Sequence, residues 1–232
     1  MLTINDFAAA LTSDQLERIR RFPTAVLCDA MASLQVPRGG CLDGAISPVS
    51  GSKEIAGTAY TVATTNGNTL PVQYAISQGR PGYILVVATG SYTDGPHLGD
   101  LNALTAQLSG LTGIVIDGYI RDVEEIRQLD YPVFARGCMP RQPGKSAQGK
   151  INTTITCANV RIAPGDIIVG DADGVVAIPR DLLEEVLQQA QKKEAADAKR
   201  KALIEAFFKD NPGNICHKDS TTLLTAKIRE LL

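Results

Sequence analysis

Two apolar runs, "GRPGYILVVATG" (79–90) and "GIVIDG" (113–118), stand on either side of one helix-length segment, "HLGDLNALTAQLSGLTG" (97–113). A strand with one wet face alternates apolar and polar residues, whereas an unbroken run belongs to a strand buried on both faces. Between the runs, Leu98, Leu101, Leu104, Ala106 and Leu108 recur in rough helical spacing. Strand, helix and strand make a β-α-β unit, whose crossover is right-handed and returns to a parallel strand. That unit places the chain in the α/β class.

The remaining segments fit around it. "GTAYTVATT" (57–65) and "YPVFARG" (131–137) predict further strands, and residues 155–179 predict three short ones joined at Pro-Gly and Asp-Gly turns. Residues 14–34 predict two short helices split at Pro23, with Thr24 as N-cap of the second. "QVPRGGCLDGAISPVSGSKEIAG" (35–57) reads as a long connecting loop, and "NGNTLPVQYAISQG" as a turn with a short helix. From Arg180 to about Phe208 the chain predicts one charged, amphipathic helix; "KDNPGN" breaks it, and 219–231 predicts a short terminal helix capped by Asp219 or Ser220. The economical division is one domain over 1–202 with a helical extension over 203–232.

Composition removes several function classes. The formal net charge is −2 and there is no basic block; six tyrosines, five phenylalanines and no tryptophan offer few stacking platforms, so no nucleic-acid partner is expected. No apolar run approaches the ~20 residues of a membrane span, and the N-terminus has no secretory apolar core. Five cysteines (28, 41, 138, 157, 216) without a CxxC pair argue against a disulfide framework or a zinc knuckle and for a reducing cytoplasm. Cys28, Cys41 and Cys138 read as buried small hydrophobes. With only His97 and His217, a metal here falls to carboxylates and water, which suits Mg²⁺ or Mn²⁺.

Spacing then brings charges together. Ten to twelve helical residues after Asp100 advance ~15–18 Å, and six strand residues return ~20 Å. Asp100 is therefore expected on the same sheet edge as Arg121 and Asp122, although 20 residues separate Asp100 from Arg121. Open α/β sheets build sites at that carboxyl edge. Asp100 and Asp122 offer hard oxygen donors for a cation, Arg121 a planar fork for a carboxylate or enolate oxygen, and the helix start free N–H groups. A 2-oxo acid matches all three. A plainer reading is open at this point: Asp100 beside its own helix N-terminus, and Arg121 in a loop ion pair with Asp122 or Glu125. Asp117-Gly118 reads as the turn ending the strand, Glu124 as solvated, and His97 as a capping or surface residue.

"LGDLNALTAQLSGLTGIVIDGYIRDVEEI" resembles the signature of the class II pyruvate aldolases, which cleave 4-hydroxy-4-methyl-2-oxoglutarate and 4-carboxy-4-hydroxy-2-oxoadipate. Their superfamily includes the RraA-like proteins, named for a regulator of ribonuclease E. "TAVLCDAM", "IAGTAYTV", "RPGYILVV", "YPVFARG" and "VRIAPGDIIVGDADGVVAIP" extend the likeness over roughly 20–200. The resemblance implies an α/β/β/α layered fold, trimers or hexamers, and sites between subunits. It implies Asp122 as direct metal ligand, Asp100 as water-mediated partner and proton-transfer group, and Arg121 as the group that orients substrate and stabilises the enolate. It further implies pyruvyl-carboxylate contacts near Gly99, Asp100 and Leu101, oxaloacetate decarboxylation as a companion activity, and an acid from a neighbour's C-terminal helix, Glu194 first and Asp197 second. Members without aldolase activity tend to lack the first acid, which this chain keeps. The alternatives it leaves are a non-catalytic ribonuclease regulator and a lyase for another, sugar-derived hydroxy-oxo acid. The stretch beyond Lys201 runs past the usual family end.

Overall fold

A computed structural model of the protein describes residues 2–50, 54–65, 67–90, 92–144 and 148–210. In chain order the elements are β1 (Leu2–Ile4), α1 (Ser13–Ile19), α2 (Thr24–Ser33), β2 (Ser47–Pro48), β3 (Ile55–Thr64), α3 (Leu70–Ser77), β4 (Tyr83–Ala88), β5 (Pro96–Leu98) and α4 (Asp100–Leu108). They continue with β6 (Gly113–Ile120), α5 (Val123–Gln128), β7 (Val133–Cys138), β8 (Gly149–Ile151), β9 (Ile155–Cys157), β10 (Val160–Ile162), β11 (Ile167–Asp171), β12 (Gly174–Ile178) and α6 (Leu183–Asp210). The expected terminal helix at 219–231 lies outside the described residues.

The apolar runs form the centre. β3, β4, β6 and β7 pair in parallel, with Ile84↔Gly113 and Ala88↔Asp117 setting the register of the β-α-β unit. Alternation within these strands divides the core, because successive side chains point to opposite faces. Leu85, Val87, Ile114 and Ile116 face α3, α4 and α5, meeting Val72, Ile76, Ala103, Ala106 and Ile126. Ile84, Val86, Val115 and Phe134 face the other way, onto Ile155, Cys157, Ile162, Ile168 and Val175 from β9–β12. Ile167, Val169, Val176 and Ile178 then turn outward onto Ile19, Leu27, Met31, Val186 and Leu187 of α1, α2 and α6. Helices, sheet, sheet and helices are thus stacked in order, a single α/β domain of α/β/β/α type with a mixed sheet. β11 ties the sheets together by pairing antiparallel with the start of β3 as well as with β12.

Several expectations need correction. Thr24 is the first helical residue of α2, not its cap; its N–H and hydroxyl both donate to Asp171, at 2.8 and 2.7 Å. A carboxylate from a remote turn serves this helix start in place of a local cap. The first helix does have a local signal, the Thr12/Gln15 capping box. Residues 155–179 hold four strands where three were expected, and the 35–57 loop contains a short 3₁₀ turn and β2.

Asp117-Gly118 is no turn. β6 runs through it to Ile120, and Asp117 is buried. Its carboxylate accepts from Arg136 Nε at 2.5 Å and from the Ala158 N–H at 2.6 Å, which joins β6 to the neighbouring strand and to the second sheet. The cysteines also depart from expectation: Cys28 and Cys41 are half-buried, Cys138 is exposed, and Cys157 is the buried thiol, pushed up by burial. The predicted helix from Arg180 is present; α6 proper begins at Leu183 and passes residue 202 without a break. Among the described residues no helix is long and apolar enough to cross a membrane.

Candidate active site

The site begins with a strand too short to announce itself. β5 pairs in parallel with the end of β6, Pro96 opposite Tyr119 and Leu98 opposite Ile120, and the Arg121 N–H donates to the Leu98 carbonyl at 3.0 Å. One residue later Gly99 opens α4, with Asp100 as its first helical residue. The zipper fixes the N-terminus of α4 beside the C-terminus of β6. Asp100, Arg121 and Asp122 consequently line one cavity of about 530 Å³, together with Gly99, Leu101 and Asn102.

Gly99 matters here for space. A Cβ at this position would lie 2.6 Å from Asp122 Oδ2 and 3.4 Å from Arg121 Nε. Its φ of −131° is ordinary, so the requirement comes from packing alone. Asp122 sits in the left-handed region, φ 59° and ψ 46°, a conformation seldom held by residues other than glycine and asparagine or aspartate. Although it occupies the N-cap of α5, its side chain makes no capping hydrogen bond. The carboxylate is held 3.2 Å from Arg121 Nε, with both side chains half-buried. Such backbone strain at a carboxylate that faces a cavity in place of capping its own helix is a mark of functional sites.

In kind, the donor set fits a hard divalent cation: among the described residues, two carboxylates and no thiolate or imidazole line the cavity. In number it is incomplete. Among the described residues no three His, Cys, Asp or Glu side chains gather closely enough to hold a metal. Asp122 and Asp100 would hold such an ion together with water, in keeping with Mg²⁺, which retains several waters.

Other expected residues fall elsewhere. Glu194 is exposed on α6 and, like Asp197, does not line this cavity. Asp197 is bonded to Lys193 at 3.0 Å, and Lys193 also reaches Asp29 at 3.2 Å. Glu124 is exposed and pairs with Arg127, and Glu125 is exposed in the first turn of α5. His97 is neither cap nor surface. It is fully buried, its ring edge-on to Tyr92, and neither ring nitrogen has a hydrogen-bond partner among the described residues. Burial holds its pKa down at about 4, so the imidazole is neutral. The residues that sequence reasoning missed are Thr69, Gln73, Asn102 and Gln142, which line the same cavity. Neutral amides carry no spacing signature; only the helix start at "NTLPVQ" hinted that Thr69 and Gln73 face a common space.

Comparison with known proteins agrees with this architecture. The RraA-like family model, described as Aldolase/RraA, matches residues 24–177. The chain belongs to the RraA-like family. A Halalkalibacterium halodurans relative, provisionally named as a 4-hydroxy-4-methyl-2-oxoglutarate aldolase, is 36% identical over 191 residues, 82% of this chain and 89% of that protein. Among solved structures, an uncharacterized protein of Pseudomonas syringae pv. tomato superposes with a TM-score of 0.73 at 25% identity, over 87% of this chain and 92% of its own. Streptomyces coelicolor RraAS2, described as an unusual member of the RNase ES inhibitor RraA family, gives 0.71 at 25%, over 82% of this chain and 98% of its own. This RraA-like chain therefore shares its superfamily with both provisionally named aldolases and RNA-processing inhibitors.

Proposed function

We propose that this RraA-like protein is a metal-dependent carbon–carbon lyase that releases pyruvate from a 4-hydroxy-2-oxo acid, 4-hydroxy-4-methyl-2-oxoglutarate being the reference substrate. Decarboxylation of oxaloacetate is its companion reaction. The observation that carries this reading is the convergence of Asp100, Arg121 and Asp122 on one cavity, with Gly99 leaving room for the Asp122 carboxylate. A purely regulatory surface has no need of two carboxylates and a guanidinium held around a strained residue.

The chain's own groups divide the work. The first-turn N–H groups of α4, free of intrahelical partners, bind the 2-oxo acid carboxylate, aided by the helix dipole. Asp122 would hold Mg²⁺ or Mn²⁺ directly and Asp100 through a water, and the ion would supply Lewis-acid polarisation of the 2-oxo group. Arg121 stands where negative charge gathers on the 2-oxo oxygen as C3–C4 breaks, and its guanidinium stabilises that charge. Asp100 receives the C4 hydroxyl proton, directly or across one water, and a proton returned to C3 completes pyruvate. In oxaloacetate the same bond electrons come from loss of CO₂.

We read the site as shared between copies in a trimer or hexamer. Support comes from α4, where Leu101 (71% exposed) lines the cavity and Leu104 and Leu108 (78%) follow one and two turns along, and from α3, which packs against α4 and exposes Leu70 and Tyr74. Exposed apolar groups in such numbers mark an interaction surface. Glu194 of a neighbouring copy's α6 is the acid we assign to the metal's waters, with Asp197 second.

The test is pyruvate release coupled to lactate dehydrogenase, with Mg²⁺ or Mn²⁺ and then with EDTA, together with deuterium exchange of the pyruvate methyl group in D₂O. Metal-dependent turnover is expected, and Asp122→Ala should abolish it while the oligomer persists. Absence of both turnover and exchange, with co-purification of an RNA-degradation enzyme, would select the regulatory reading instead.

A further inference from the structure

A second wall of the cavity is built where α3 begins and where the chain leaves β7. The Thr69 N–H and hydroxyl both donate to the Gly144 carbonyl at 3.3 Å, and Asn68 forms a one-residue bridge to the same glycine. Two segments 75 positions apart are thereby stapled into one surface. Gln73 and Gln142 line the cavity from it, and Asn102 lines it from α4. None of these three side-chain amides has a partner among the described residues.

The charges are all elsewhere. Among the described residues that line the cavity, only Asp100, Arg121 and Asp122 are charged. Arg141, next to Gln142, is engaged with the carboxylate and carbonyl of Asp94. One divalent cation and one substrate carboxylate bring this chain's lining to electrical balance, and Glu194 of the neighbouring copy, as assigned above, would add a further negative charge. Among the described lining residues a second carboxylate would find no cation to pair with, and the carboxylates already present would repel it. Unpaired amides present acceptors as well as donors. A carboxylate satisfies only the donors, whereas hydroxyl groups satisfy both.

Resting on the lyase reading above, we propose that the preferred substrate carries a neutral, polyhydroxylated tail, as in a 2-oxo-3-deoxy sugar acid, rather than a carboxylated one. Gln73, Asn102 and Gln142 are its specificity-determining contacts. The reaction balances as before: C3–C4 breaks, the C4 hydroxyl loses its proton as that carbon becomes an aldehyde, and C3 of the pyruvate enolate is protonated.

Two substrates sharing the pyruvyl half, 2-oxo-3-deoxygluconate and 4-hydroxy-4-methyl-2-oxoglutarate, separate the outcomes when kcat/KM is measured on the full chain with Mg²⁺. The neutral substrate should lead by at least about 10-fold, as expected where a site hydrogen-bonds substrate hydroxyls. Equal or better use of the dicarboxylate overturns the proposal. Pyruvate methyl exchange, which has no tail, keeps the two readings apart: its absence defeats the lyase assignment, whereas its presence with a dicarboxylate preference defeats only the tail assignment. Gln73→Lys should move the selectivity ratio toward the dicarboxylate by about 10-fold. Gln142→Lys is the parallel variant should the first not fold, and a ratio unmoved by a folded variant removes the wall from recognition.

Discussion

A single missing methyl group shapes the site. At Gly99 the nearest atom to a hypothetical Cβ is Asp122 Oδ2, at 2.6 Å, and a side chain there must displace the carboxylate from its place beside Arg121. Because Gly99 has an extended backbone, Gly99→Ala should leave the melting temperature within a few degrees yet lower kcat/KM by about 100-fold, the scale expected for a misplacement near 1 Å. Differential scanning fluorimetry beside the pyruvate assay checks both halves. His97 supplies a second residue-scale outcome. Its folded pKa of about 4 lies below the ordinary 6.5, so between these values the unfolded chain binds more protons than the folded one. Stability should therefore rise with pH from about 4 to 6.5 and be flat above, by up to ~3 kcal/mol over that span. Burial is the cause of the depressed value, and Tyr92, edge-on to the ring, carries no charge to oppose the trend. Urea unfolding across this range tests it; in His97→Leu the slope should flatten.

Elements decide what a sequence can disclose about such a site. Strands β4 and β6 were legible because full burial requires unbroken apolar runs, and the pairing Ile84↔Gly113 follows from the crossover between them. α6 was legible from its length and periodicity. Strands of three residues have no room for a pattern, so β1, β5 and β8 escaped notice, and β5 is the one that aligns α4 with Arg121. The crossover estimate reached the right edge by comparing lengths, without the zipper that holds it. Asp117 misled for another reason: Asp-Gly is a turn signal when solvated, and here tertiary partners override it. That partnership carries its own expected outcome. Among the described residues, Asp117→Ala leaves Arg136 its 3.6 Å contact to Asp43 and removes the acceptor of the Ala158 N–H. A loss of ~2–3 kcal/mol in urea unfolding is expected, below the ~3–5 kcal/mol of a fully buried pair because Arg136 is 25% exposed.

At the scale of the whole molecule, what is least legible is what lies between molecules. Leu101, Leu104 and Leu108 recur in rough helical spacing, yet Ala103 and Ala106 are the residues of α4 that pack inward and the leucines face outward. A helix packed on a sheet through alanines and out through leucines has two apolar faces, and monomer burial explains only one. If the trimer or hexamer proposed above uses this face, Leu108→Glu should leave the monomer folded and shift it to smaller species in sedimentation velocity; an unchanged sedimentation coefficient would remove this face from the proposed interface. β3 has a further consequence, one of timing. One side of it meets β4 within some twenty residues of chain, but the other is closed only by β8 and β11, around 149–151 and 167–170. During synthesis the longest apolar strand of the protein must wait, open-edged, while about a hundred further residues emerge. At ~5–20 residues per second that wait lasts ~5–20 s, long enough for an unpaired edge to find another nascent chain. A nascent polypeptide ending before Ile167 is thus the form of this protein most in need of a chaperone.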